Sequence, residues 1–158
     1  MNQPKVERKF TLRVAEMRSL LATDYRDVRA LFQSIFDREE YPQFQVAWRR
    51  RDTERSLGLF IEDVLIGFTL VKDTKLFYIG VDPDCQAGGY GSQLLQEVIS
   101  RSKAKRSSLC LVPVNNTKVI HWYMRHGFKI STVVPSNEKG VPLITMNMNP
   151  YDLRSRRV

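Results

Sequence analysis

Apolar residues recur along this chain at two periods, and each change of period marks an element. Val28, Leu31, Phe32, Ile35 and Phe36 follow the i, i+3, i+4, i+7, i+8 spacing of a helix with one face on a core, and Asp24 is its expected N-cap. Asp37-Arg38-Glu39-Glu40 breaks that pattern. Pro42 then suits the first turn of a short second helix through Trp48, with Phe44, Ala47 and Trp48 on its apolar side. Residues 1–8 read as a loose tail and Phe10 to Val14 as a first strand. Leu57 to Ile61, Val64 to Val71 and Leu76 to Val81 are strand-like runs joined by short polar turns, which predicts an antiparallel meander.

The period changes again after Val81. Asp82-Pro83-Asp84 stops the strand, Gly88, Gly89 and Gly91 follow, and Leu94, Leu95, Val98 and Ile99 resume at helical spacing. Leu109 to Val114 is a further strand. Strand, helix and strand make a right-handed crossover, so this strand and Leu76 to Val81 should run parallel. Asn116 or Thr117 opens a last helix with Val119, Ile120, Tyr123 and Met124 on one side, and Gly127 ends it. Phe128 to Val134 and Val141 to Met148 alternate as a final hairpin, and residues 151–158 form a loose basic tail.

The expected class is therefore α/β of the α+β kind: a mixed, mostly antiparallel sheet of about six or seven strands, a central parallel pair and about four helices. At 158 residues the chain reads as one domain spanning 1–158, with its core at about 10–148. Hydrophobic residues make up 42%, enough for a buried core. The polar start from Met1 to Lys9 shows no secretory signal, and Glu62 and Asp63 break the longest apolar region, so no membrane span is expected. Cys85 and Cys110 are the only cysteines, which points to reduced thiols and a cytoplasmic setting.

Charge adds a partner class. The formal net charge is +8, which favours an anionic ligand. Basic residues gather at Arg49-Arg50-Arg51 with Arg55, at Arg101 to Arg106 and at Arg154 to Arg157. The second group falls where a helix should end and reads as compensation of its dipole. The other two are solvated faces or a nucleic-acid contact, and no aromatic-interleaved recognition motif accompanies them.

The glycine turn carries the chemistry. It lies between a strand end and a helix start, so backbone N–H groups converge there free of Cβ interference at the positive end of a helix dipole. That suits a pyrophosphate. Gly91-Ser92 lacks the lysine of a P-loop, and Gly89-Tyr90-Gly91-Ser92-Gln93-Leu94 lacks the third glycine of a dinucleotide fingerprint. His121 and His126 lack the spacing and partners of a metal site, and no metal is expected.

Gln86-x-x-Gly89-x-Gly91 resembles the acetyl-CoA loop of the GCN5-related N-acetyltransferase (GNAT) superfamily, whose pattern is Gln/Arg-x-x-Gly-x-Gly/Ala. Asn116 to Phe128 looks like a second signature of that family, Asn-x-x-Ala-x-x-x-Tyr-x-x-x-Gly-Phe, with Val119 at the alanine position. The two motifs stand in the family's order, and the resemblance covers roughly residues 10–148, its first third by element order only. It implies acetyl-CoA as co-substrate, entering where the two parallel strands splay apart. Ile79, Gly80 and Val81 would pair with the pantetheine arm; Gln86, Ala87, Gly88, Gly89, Tyr90, Gly91 and Ser92 would hold the pyrophosphate. Asn116 would bond the pantetheine amides, and Tyr123 would protonate the leaving thiolate.

The implied reaction is acetyl transfer to a primary amine by direct attack in a ternary complex. The acceptor is open: a small-molecule amine, a protein N-terminus or lysine, or aminoacyl-tRNA. The general base is open too. Lys75 stands in the register where relatives that modify lysine carry glutamate, leaving Glu39, Glu40, Glu62, Tyr78 and Asp82 as candidates. Tyr41, Phe44 and Trp48 are candidate acceptor-pocket walls, with core packing the better reading of each. The alternative is a non-catalytic module on the same fold that senses acyl-CoA or binds nucleic acid. A monomer and a homodimer are both compatible with the sequence.

Overall fold

The computed structural model describes residues 15–102, 107–109, 112–113, 115–134 and 141–148. Its first strand, β1, is Ala15–Ser19, which pairs antiparallel with β2, Leu57–Ile61. The sequence reading placed no strand over Ala15–Ser19, because Glu16 and Arg18 leave only Ala15 and Met17 as inward apolar residues. The expected strand from Phe10 to Val14 and the basic tail lie outside the described residues.

β3, Val64–Lys72, and β4, Lys75–Val81, complete the meander. Glu62 and Asp63 join β2 to β3, and both have positive φ (50° and 65°), the signature of a hairpin turn whose twist matches its strands. β5, Ser107–Leu109, runs parallel to β4, as the crossover predicts. β6, Val112–Pro113, and β5 both pair with β8, Leu143–Met148, and β7, Lys129–Val134, pairs with β8 as the expected hairpin.

Among the described residues β4 meets β5 at Lys75↔Ser108 and Leu76↔Leu109, and none pairs with the β5-facing edge of β4 from Phe77 to Val81. A cavity borders that stretch of β4. A bulge sits at the same place: Leu70 pairs with Tyr78 but Val71 with Leu76, leaving Phe77 as the extra residue. The bulge resets which face each side chain takes. Leu76, Ile79 and Val81 join one core cluster, while Phe77 and Tyr78 join the other.

Those clusters lie on opposite faces of the sheet. One packs α1, Tyr25–Ile35, and α2, Tyr41–Arg49, on the sheet through Val28, Leu31, Phe32, Phe44, Ala47 and Trp48. The expected helices are there, with Pro42 in the first turn of α2. The other face carries α3, Tyr90–Ser102, through Leu94, Leu95 and Val98, and α4, Thr117–Arg125, through Ile120 and Tyr123. Met124, expected on the apolar side of α4, is exposed instead, and Trp122 packs inward. The apolar stripe of α4 is therefore rotated toward the glycine turn.

Two of the basic residues expected on a solvated face are structural. Arg55 is 3% exposed; it pairs with Asp52 at 2.8 Å and donates to the carbonyl of Asp73. Arg51 lies 4.1 Å over the Trp48 ring. Arg101, in the last turn of α3, pairs with Glu97 and donates to the carbonyl of Glu54, tying the helix to the loop before β2.

Asp24 precedes α1 as expected, but its side chain makes no cap on that helix. It accepts from the Leu21 N–H at 2.7 Å and from both terminal nitrogens of Arg18 at 2.7 and 3.0 Å, joining β1 to the helix. The Arg18 hydrogen bond holds the Asp24 carboxyl below the usual carboxylate range, outweighing its burial. A depressed folded pKa stabilises above the unfolded value of about 3.9, and this is lost as pH falls through the folded value. Asp24→Asn should cost about 1–3 kcal/mol at pH 7 in urea unfolding. Its gap to the native chain should narrow as pH falls from about 5 to 2.

Candidate functional site

Beside β4 lies a cavity of about 610 Å³. One wall is β4 from Leu76 to Val81; a second is Val119, Trp122 and Tyr123 of α4; a third is Ile35, at the end of α1, with Phe36 after it. Gln86, Gly89, Gly91, Ser92 and Asn116 border it at the glycine turn and the start of α4. Nine sequence-predicted residues thus meet in one space: Ile79, Gly80, Val81, Gln86, Gly89, Gly91, Ser92, Asn116 and Tyr123. Ala87, Gly88 and Tyr90 belong to the same turn without lining the cavity.

The turn is built in steps. Residues Pro83–Gly88 wind as a 3-10 turn, begun by Asp82, whose side chain accepts from the Asp84 N–H at 3.0 Å. Gln86 Nε2 donates to the Val81 carbonyl at 3.4 Å, binding the turn back to the end of β4. Gly89 then takes φ 73°, a left-handed conformation that costs glycine little. The Tyr90 ring folds over Gly88 and leaves no room there for a Cβ. The first backbone bond of α3 runs from Gln93 N–H to the Gly89 carbonyl, so helix geometry leaves the N–H groups of Tyr90, Gly91 and Ser92 without an intrahelical acceptor. These donors sit at the positive end of a thirteen-residue helix.

Tyr123 is fixed by the end of its own helix. His126 is the C-cap and Gly127, at φ 95°, follows it. The Phe128 N–H returns to the Tyr123 carbonyl at 3.1 Å and the Gly127 N–H to that of Met124 at 3.0 Å, the paired bonds of a Schellman ending. The Phe128 ring meets the Tyr123 ring edge-on at 5.5 Å, and Trp122 flanks it at 4.9 Å. The Gly-Phe pair thus both stops α4 and clamps the tyrosine. Burial pushes the Tyr123 phenol well above the usual tyrosine range, so it holds its proton at neutral pH. Asn116 occupies the N-cap position of α4 but makes no side-chain capping bond, so capping does not account for its amide.

The candidate bases separate. Glu62 is in the β2–β3 turn and Asp82 starts the glycine turn. Lys75 is exposed at the start of β4. Tyr78 and Glu40 come together: the Tyr78 hydroxyl donates to Glu40 Oε2 at 2.8 Å. Of the candidate pocket walls, Phe44 and Trp48 are core residues, and Tyr41 borders a second cavity of about 540 Å³ between α1 and α2. The sequence reading did not mark Ile35, Phe36, Val119 or Trp122 as cavity residues. Their apolar helical spacing signals burial alike for a core and for a cavity wall.

A mixed sheet with a parallel β4–β5 pair, and a cavity along β4 beside a glycine turn, places this molecule among the acetyltransferase folds. The model of the acetyltransferase (GNAT) family matches residues 14–128, well over half of the chain, and the chain belongs to that family. Solved structures agree on the fold. A GNAT-family acetyltransferase from Desulfovibrio desulfuricans superposes with a TM-score of 0.72 at 19% identity, covering 87% of this chain and 99% of that one. Ard1 from Thermoplasma volcanium gives 0.71 at 17% identity over 85% and 97%. Arabidopsis thaliana Naa50, solved with the bisubstrate analogue CoA-Ac-MVNAL, gives 0.67 at 16% identity over 84% and 97%. No curated protein matches the chain at a significant level.

Gly89 and Gly91 should differ on substitution. A β-branched side chain at Gly89 must hold a positive φ, so Gly89→Val should lose about 1–3 kcal/mol in urea unfolding. A Cβ at Gly91 meets nothing nearer than 3.6 Å, and Gly91→Ala should stay within about 1 kcal/mol of the native chain.

Proposed function

We propose that the protein transfers the acetyl group of acetyl-CoA to a primary amine by direct attack within a ternary complex. One observation carries this reading: the cavity joins the β4 strand from Leu76 to Val81, a run of helix-start N–H groups without intrahelical acceptors and a buried, protonated phenol. Each matches one part of the co-substrate. The backbone of Ile79, Gly80 and Val81 offers strand-type hydrogen bonds to the pantetheine amides, as an added strand would. The turn from Gln86 through Ala87, Gly88, Gly89, Tyr90 and Gly91 to Ser92 offers converging donors to a diphosphate. Asn116 supplies an amide at the cavity edge with no capping duty.

Tyr123 gives its proton to the departing thiolate. A phenol near 10 and a thiol near 8.5 are an uphill pair in water. The burial that raises the Tyr123 pKa also disfavours a thiolate in the same space, so the two proton affinities rise together. The phenol then stays protonated until sulfur begins to take negative charge, which is when general acid catalysis acts.

The acceptor is an amine whose class the assay must find: a small molecule, a protein N-terminus or lysine, or aminoacyl-tRNA. Peptides with a free α-amino group head the panel, because a structural neighbour is described with a CoA–peptide bisubstrate analogue. The module reading, acyl-CoA sensing or nucleic-acid binding without turnover, loses part of its support because Arg51 and Arg55 are engaged inside the fold.

The test is release of CoA thiol from acetyl-CoA across a panel of peptides, polyamines, amino sugars and charged tRNA. Turnover with at least one amine is expected. Salt-dependent RNA binding with no thiol release from any amine would favour the module instead. Tyr123→Phe should keep CoA affinity by calorimetry within about threefold and lower kcat by about 10²-fold or more. An unchanged kcat in a folded variant would remove Tyr123 from the mechanism.

A further inference from the structure

The reaction needs a second proton step, since an ammonium group cannot attack a carbonyl. At neutral pH only about one in 2,500 molecules of an amine of pKa near 10.4 is unprotonated, so that proton must leave before the attack. Tyr123 cannot be the acceptor of that proton, because its oxygen already carries one and its role is to give it away.

A second phenol borders the same cavity. Tyr78 lies on β4 just past the bulge, on the face opposite the core cluster of Tyr123. The surroundings of the two rings differ in kind. Tyr123 is enclosed by Trp122, Phe128 and the apolar core of α3 and α4. Tyr78 is held edge-on by Phe32 and Phe36 at 5.1 and 5.2 Å, and its hydroxyl donates to the Glu40 carboxylate at 2.8 Å. Glu40 is exposed and stands at the N-cap position of α2. One buried ring therefore links the cavity to a solvent-facing carboxylate in a single hydrogen bond.

We propose that Tyr78 and Glu40 form the exit route for the acceptor's ammonium proton. The proposal rests on the acetyltransferase reading above. In the step, the ammonium N–H bond breaks and its proton goes to the Tyr78 oxygen. The Tyr78 O–H bond breaks in concert, and that proton goes to Glu40 Oε2. The nitrogen keeps the electron pair that attacks the thioester carbonyl, and Glu40 later releases its proton to water. Tyr78 is the residue that touches the acceptor; Glu40 acts through it. Other charged groups on the surrounding elements are Asp37, Arg38 and Glu39 in the same turn, Arg26, Asp27 and Arg29 on α1, Arg49 on α2, Lys72 on β3 and Lys75 on β4. Arg29 lies over Tyr41 and Lys72 over Phe77, and Asp37, Arg38 and Glu39 are exposed.

A merely structural Tyr78–Glu40 bond would dock α2 on the sheet and do no more, and a pH profile separates the two roles. The experiment measures kcat/KM from pH 6 to 10 for native protein, Tyr78→Phe and Glu40→Gln, using the panel amine that the native protein acetylates fastest. CoA affinity by calorimetry checks that each variant keeps its cavity. The relay predicts a loss of about tenfold or more at pH 6.5 in both variants, shrinking steadily as pH rises toward the amine's own pKa. Profiles lowered by the same factor at every pH, or unchanged profiles, overturn the relay while leaving the acetyltransferase reading intact. Should Tyr78→Phe lose CoA affinity, the exposed Glu40→Gln variant decides alone. Absence of turnover by the native protein with every panel amine overturns both readings together.

Discussion

The whole arrangement depends on β4 and the cavity beside it. Among the described residues no strand pairs with the β5-facing edge of β4 from Phe77 to Val81. Backbone N–H and C=O groups withdrawn from water need partners, and an edge inside a fold is costly unless something fills it. Leu76 to Val81 line the cavity along that edge. The glycine turn, the start of α3 and the α4 tyrosine are all placed by being attached to one or other side of that cavity.

The bulge at Phe77 is the second device. By adding one residue to β4 it lets two adjacent positions, Phe77 and Tyr78, share the face toward α1 and α2, while Leu76 and Ile79 on either side pack toward α3 and α4. Two phenols consequently reach one cavity from two different cores. In one environment burial alone acts and the proton is held firmly. In the other a carboxylate waits on the far side of the hydroxyl. A reaction that must release one proton and supply another can use such an asymmetry, and pairs of groups in contrasting environments are how one site runs acid and base steps together.

Much of this was legible in the chain. Gly89, whose φ only glycine adopts easily, and the Tyr123-x-x-x-Gly127-Phe128 spacing encode local backbone geometry, and local geometry is what short patterns record. The α2 start at Pro42 and the parallel return of β5 followed from equally local or topological rules. The misses have a common cause in tertiary context. Ile35, Phe36 and Trp122 are apolar residues at helical spacing, and nothing in such spacing distinguishes a cavity wall from a core. Arg51 and Arg55 read as solvent-facing charges in the sequence; Trp48 and Asp52 are local partners three positions away, but burial of Arg55 depends on the Asp73 carbonyl, brought to it across the fold. The Tyr78–Glu40 contact spans thirty-eight positions, a separation no motif records.

The central claim is that the cavity edge of β4 and the start of α3 are one binding surface for the CoA moiety. Amide hydrogen exchange over residues 77–92, with and without saturating CoA, tests it most directly. Strong protection confined to Phe77–Val81 and Gly89–Ser92, with the distant Glu62–Asp63 turn unchanged, is the predicted result. Exchange in both segments that is the same with and without the ligand would contradict the account.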